Sequence, residues 1–282
     1  MARARKKIAP EPTAEPAATK WVVIAAAILL IAAFALVPNA RSWAEGKLII
    51  AEEEFQLYFD PSAERAYAYA ESHFDSADAV TYDLHRARAL YREALELDPT
   101  IPFARHQLAR ISFLEENYSE ALVLINAEIE TNENLSLSSY YIRGLIKGFA
   151  GDYDGAAKDY ETYLKGDASN WAAINDYAWV LLKGDHPLEA LVAIDWGLIF
   201  WPDNTWLLNN KATAHYELEQ IDLAFDAATR AEASAVGVSE EDWLLAYPGN
   251  DPLMASEGVQ ALRNAIAANM HTILLAQQNE ED

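Results

Sequence analysis

The stretch RARALYREALELDP, residues 86–99, decides the fold. Ala87, Tyr91, Ala94 and Leu95 share one side of a 3.6-residue helical period, most of the charged residues take the other, and Asp98-Pro99 ends the pattern. Related helices follow at a fixed period. The small residue near the start of each is Ala87, Ala121, Ala156, Ala190 or Ala224, at separations of 34, 35, 34 and 34. Twelve positions before each of the last four stands another small residue: Ala109, Gly144, Ala178 and Ala212. This spacing predicts two helices per repeat, crossing closely where both carry little side chain. A pair of helices this short cannot bury its apolar face alone, so neighbours must stack and the two ends of the stack must be atypical.

The period, the small pairs, the turn GDYDGA at residues 151–156 and ALYREALELDP at residues 89–99 resemble tetratricopeptide (TPR) repeats. The resemblance covers about residues 85–236, four full repeats preceded by one second-helix unit. It implies an all-α fold, a right-handed α-solenoid of helix pairs. Two features depart from the family pattern: the large aromatic expected early in each first helix is Arg105, Tyr140, Ile174 or Leu208, and the terminal proline stands only at Pro99 and Pro202. At the N-terminal end, Asp60-Pro61 reads as a cap and first-turn proline for a helix through residues 66–74, the partner of the Ala87 helix. At the other end, residues 247–252 read as a loop, residues 257–275 as an amphipathic helix covering the last repeat, and residues 277–282 as a frayed tail. The expected division is a basic tail (1–20), an anchor (21–43), a linker or helix (44–61), the repeats (62–236) and a C-terminal cap (237–282).

The chain has 282 residues, 52% hydrophobic and 23% charged, a balance that excludes wholesale disorder. It has no cysteine, which removes disulfides, thiolate metal sites and a catalytic thiol. Residues 1–20 carry five basic and two acidic side chains, a net of +3, whereas residues 51–282 carry 14 basic and 41 acidic ones, a net of −27. Such an acidic body excludes nucleic acid as a partner and favours a basic or neutral protein. Between tail and body, residues 21–37 (WVVIAAAILLIAAFALV) hold no charged or polar side chain apart from the Trp21 indole, and Pro38 to Ser42 break the run. At 1.5 Å per residue the run spans about 25 Å, and Trp43 follows Trp21 by 22 positions as a second interfacial aromatic. A single transmembrane signal anchor is expected, with the N-terminus cytoplasmic and the repeats extracytoplasmic, in a bacterial inner membrane. A signal peptide cleaved near Ser42-Trp43-Ala44 and a buried core helix are the alternatives.

No pattern for catalysis stands out. The six histidines lack metal-ligand spacing, Asp152-Tyr153-Asp154-Gly155 lacks the remaining ligands of a calcium loop, and there is neither a phosphate-binding glycine loop nor a nucleophile elbow. A non-enzyme without metal or cofactor is expected. What remains is a surface. In a TPR stack the first helix of each pair lines the concave side, and a 3, 4, 3 spacing opposite the small residues gives Phe103, His106, Arg110 and Phe113; Ser138, Tyr141, Leu145 and Phe149; Ala172, Asn175, Trp179 and Leu182; Trp206, Asn209, Thr213 and Tyr216.

A carboxylate clamp of the kind found in some TPR proteins is not expected, since Arg110 is the only early cation on this face. Gln107, Asn175-Asp176 and Asn209-Asn210 resemble instead the amide rows with which other TPR proteins hold an extended peptide. The function expected is a membrane-anchored adaptor or scaffold that grips an extended peptide segment of a partner in secretion, envelope assembly or folding. The oligomeric state is open. Two further readings stand beside it: a glycan-binding module using Trp171, Trp179, Trp196, Trp201 and Trp206, and an organelle import receptor of reverse topology.

Overall fold

The computed structural model describes residues 38–75, 81–132, 137–246 and 254–281. All regular structure among them is helical. The chain divides into two compact units, Met1–Glu53 and Glu54–Asp282, and the repeats lie in the second. Helix α1 spans Pro38–Phe59.

Residues 21–37 of the expected anchor (21–43) lie outside the described residues. Among the described ones no helix is long and apolar enough to cross a membrane. This stands against the expectation of a single-pass membrane protein with a cytoplasmic N-terminus and extracytoplasmic repeats. Helix α1 has the length but carries Arg41, Lys47 and four glutamates, Glu45, Glu52, Glu53 and Glu54, each costly in hydrocarbon.

Five helix pairs follow. They are α2 (Ala63–Phe74) with α3 (Leu84–Leu97), α4 (Ala104–Leu114) with α5 (Tyr118–Thr131), α6 (Leu137–Phe149) with α7 (Tyr153–Leu164), α8 (Trp171–Lys183) with α9 (Pro187–Phe200), and α10 (Thr205–Glu217) with α11 (Ile221–Ala235). Partners pack against each other, each pair packs on the next, and the first helices α4, α6, α8 and α10 lie side by side. The small residues of the period sit at these crossings: Ala87, Ala121, Ala156, Ala190 and Ala224 are fully buried, as are Ala109, Ala178 and Ala212. At Gly144 an added Cβ would lie 3.1 Å from the Tyr160 ring, so the approach of α6 to α7 depends on that residue being small.

The turns repeat as faithfully as the helices. Between the two helices of a pair one residue adopts a left-handed conformation, at Glu116, Gly151, Asp185 and Glu219, with φ of 60°, 87°, 64° and 59°. Side-chain caps recur at some helix starts: Asn117 and Asp152 before two second helices, and Asn170 and Asn204 before two first helices, each accept a hydrogen bond from the backbone N–H three residues on, satisfying one donor that a helix start leaves open. Before α2 the cap is Ser62 rather than Asp60. Ser62 Oγ accepts from the Arg65 N–H at 3.2 Å, while Asp60 pairs with the Arg65 guanidinium at 2.7 Å.

Two helices close the stack, α12 (Glu240–Ala246) and α13 (Ala255–Glu281). Ile266, Met270 and Ile273 of α13 join the core clusters that hold Ala224, Ala227, Ala228 and Ala231 of α11, so α13 closes this end of the stack. The helix runs to Glu281, so the tail expected to fray continues it.

Candidate functional site

The face formed by the first helices holds a pocket of about 240 Å³ lined by α4, α6, α8 and the end of α12. Phe113, Leu114, Ile142 and Leu145 form apolar walls, while His106, Arg110, Ser138, Tyr141 and Asp176 supply polar groups. Ala246 of α12 completes the lining, and Leu245 beside it borders a second cleft of about 430 Å³ with Tyr141, Trp171 and Trp201. Trp243 holds α12 down over Gly258 of α13, where an added Cβ would lie 2.1 Å from the indole.

The polar groups of the first pocket are fixed in place. His106 is buried, and its Nδ1 lies 2.9 Å from Ser139 Oγ. Burial, reinforced by the nearby Arg110 charge, pushes its pKa down to about 3, so it is neutral at physiological pH. Arg110 lies with its guanidinium 4.6 Å from the centre of the Phe74 ring and donates to Gln107 Oε1 at 2.8 Å. Asp176 accepts from Tyr141 Oη at 2.8 Å and from Asn175 Nδ2 at 3.2 Å. It keeps part of its surface at the pocket, yet the protein packed around its carboxyl raises the pKa to about 6, against the opposing pull of those two donors.

Of the residues singled out in the sequence, His106, Arg110, Phe113, Ser138, Tyr141 and Leu145 meet in this pocket. Phe103 occupies a left-handed turn at the entry to α4, its N–H donated to Glu128 Oε1 at 2.8 Å and its ring edge-on to His106. Phe149 and Trp179 belong to an aromatic ridge that runs from Phe113 through Phe149 to Trp179 at centroid distances of 5.2 and 5.1 Å. Trp206 stacks on Trp171 at 5.0 Å, and Tyr216 is exposed.

The amide row is tied up within the chain. Gln107 is buried and donates to Glu71 Oε1 at 2.7 Å, Asn210 donates to Asn175 Oδ1 at 2.9 Å, and Asn209 accepts from Asn269 of α13 at 3.1 Å. These amides join neighbouring helices rather than forming an open ladder. Asn269 also donates to Thr213 at 2.8 Å, so the capping helix reaches the first-helix face at α10. The open pocket therefore belongs to α4, α6 and α8.

Three contributors to it escaped the spacing argument. Leu114 and Ile142 fall one position off the 3, 4, 3 face, and Ala246 comes from an element remote in sequence. Asp176 stood in the sequence only as the neighbour of Asn175; its signal was a carboxylate in the otherwise uncharged stretch WAAINDYAWVLL, residues 171–182, where an acid needs partners. Two tryptophans of the cluster have their N–H groups bonded within the chain. Trp196 and Trp201 donate their Nε1–H to the carbonyls of Ala168 and Ser169 at 2.8 and 2.9 Å, leaving carbon surface outward.

No family model and no curated protein matches the sequence. Solved structures do resemble the fold. YrrB, described as a TPR protein with an unusual peptide-binding site, superposes with a TM-score of 0.55 at 17% identity, over 73% of this chain and 97% of its own. PilW, described as a widely conserved type IV pilus biogenesis factor, gives 0.55 at 14% over 75% and 98%, and PilF of Pseudomonas aeruginosa gives 0.55 at 16% over 69% and 86%. At these identities the likeness is one of fold: the repeat unit is an all-helical solenoid of the TPR kind.

Proposed function

We propose that the chain is a scaffold for protein–protein contact and that it holds a segment of its partner in the pocket between α4, α6 and α8. One observation carries this: an apolar-walled recess on the first-helix face with a carboxylate held at its lining. An apolar side chain of the partner fills the space between Phe113, Ile142 and Leu145, and a basic group on the same segment meets Asp176. The acidic body, net −27 over residues 51–282, raises the encounter rate of such a segment. The backbone donors and acceptors of an extended segment face Ser138 and Tyr141. Supporting context comes from YrrB, whose description includes a peptide-binding site, and from PilW, described as a pilus biogenesis factor; envelope assembly is the setting we propose.

A photo-crosslinking residue placed at Leu145 should capture a partner that the same residue at Lys158, on α7, does not. Capture at position 158 with none at 145 would move the binding surface to the second helices and sink the assignment.

A further inference from the structure

Helix α9 is apolar on two opposite sides. Ala190, Ile194 and Gly197 face the stack and are buried. Directly opposite, Leu188, Val192, Trp196 and Ile199 follow one another at helical spacing and are 62%, 73%, 48% and 69% exposed, with Phe200 beside them at 46%. The register shows how unusual this is. At the positions equivalent to Leu188, Val192, Trp196 and Ile199, helix α7 and the residue after it have Asp154, Lys158, Thr162 and Lys165, and helix α11 has Asp222, Asp226, Arg230 and Ala233. The second helix of an inner repeat needs only one apolar side, so packing within the stack does not explain the stripe.

We propose that this stripe is the contact between two copies of the chain, with the two α9 helices antiparallel across a two-fold axis. Area is the first argument. The five side chains expose on the order of 600 Å² per copy, and twice that, about 1,200 Å², reaches the lower range of specific protein interfaces. The roughly 600 Å² on one copy stands at the upper end of the apolar patches that monomers leave open. Charge is the second. Helix α9 has no basic residue, Asp195 is matched by Lys211 at 2.6 Å, and Glu189 lies at the margin 4.0 Å from His186. Without charges to select a foreign partner, the stripe selects by shape and apolarity. A two-fold axis then sets the Leu188 end against the Ile199–Phe200 end and brings Val192 and Trp196 to the middle. The indole of Trp196 is pre-set for this by its bond to the Ala168 carbonyl. Beside it a cleft of about 480 Å³, lined by Leu164, Tyr177, Val192 and Trp196, can accept a side chain from the other copy. None of these groups lines the pocket between α4, α6 and α8, so the two sites can be tested apart.

The test is the mass of the full chain in solution, by sedimentation equilibrium at tens of micromolar. The unchanged chain should have twice the 31.3 kDa of one copy, and Val192→Glu with Trp196→Glu should have the single mass while keeping its helical signal. Lys158→Glu, at the equivalent place on α7, should leave the mass doubled. Because two acidic bodies repel, raising salt from 0.05 to 0.5 M should tighten the association by roughly threefold or more. The chain has no cysteine, so Val192→Cys should form a disulfide between copies on oxidation and Lys158→Cys should not. A single mass for the unchanged chain, a doubled mass that survives the Val192→Glu with Trp196→Glu change, or association that weakens with salt would each overturn the proposal.

Discussion

Asp176 holds the one carboxylate in the pocket, and its raised pKa of about 6 makes it sensitive to pH where cells operate. The folded chain prefers the protonated acid more than the unfolded chain does. Stability from this group is therefore present below the unfolded value near 4 and is lost as pH rises through about 6. Asp176→Asn should stabilise the protein at pH 8 by on the order of 1–2 kcal/mol and do little at pH 4, measured by urea denaturation at the two pH values. His106 works in the opposite direction. Its folded pKa of about 3 lies below the unfolded value, so its stabilising effect is complete above about 6.5 and is lost as pH falls toward 3. Between pH 6.5 and pH 5 that loss amounts to about 2 kcal/mol, and His106→Gln should remove this part of the acid dependence. An acid profile unchanged by the substitution would mean that His106 is not held neutral. Ligand binding adds a separate signature. Capture of a basic segment should rise as pH goes from 5 to 7, because Asp176 gains its charge there while His106 stays uncharged throughout.

At the scale of the helix pair, turns and crossings carry the register. Gly151 adopts φ 87° with nothing within 4 Å of an added Cβ, so Gly151→Ala tests backbone strain alone. It should cost about 1 kcal/mol, seen as a lower urea midpoint at unchanged slope. Ala190 tests the crossings. It is fully buried, and Ala190→Leu should overpack α9 and cost about 1–3 kcal/mol, whereas Lys183→Leu on the exposed end of α8 should cost little. Equal losses at the two sites would contradict the register. These features were legible in the sequence because each depends on local spacing: the alanines at 34-residue intervals mark the crossings, and GDYDGA marks a turn. The capping helix was legible as a helix, but its hold on Asn209 and Thr213 was not, since a contact across 60 and 56 residues leaves no periodic trace. The same holds for Ala246, which reaches the pocket from beyond the last pair. The bonds within the amide row were hidden for a related reason: side chains that point to one face of a stack can meet each other there, as Asn175 and Asn210 do.

For the whole molecule, stacking explains where an open site can exist. Each first helix has one side against its pair partner, two sides against neighbouring repeats and a fourth toward the inner face. At α10 that fourth side is bonded to α13, and near α2 it is filled by the Glu71–Gln107–Arg110 network, so the open recess falls at α4, α6 and α8. Charge acts over longer range. The acidic body draws basic partners to any part of the surface, and the pocket decides where they stay. The most direct measurement is the affinity of the partner segment cross-linked at position 145, as a synthetic peptide, for the unchanged chain and for Leu145→Arg and Asp176→Asn. Leu145→Arg should weaken binding at least tenfold and Asp176→Asn severalfold at pH 7 but hardly at pH 5, with helicity intact in both. Unchanged affinity in the two variants would contradict a binding site in this pocket.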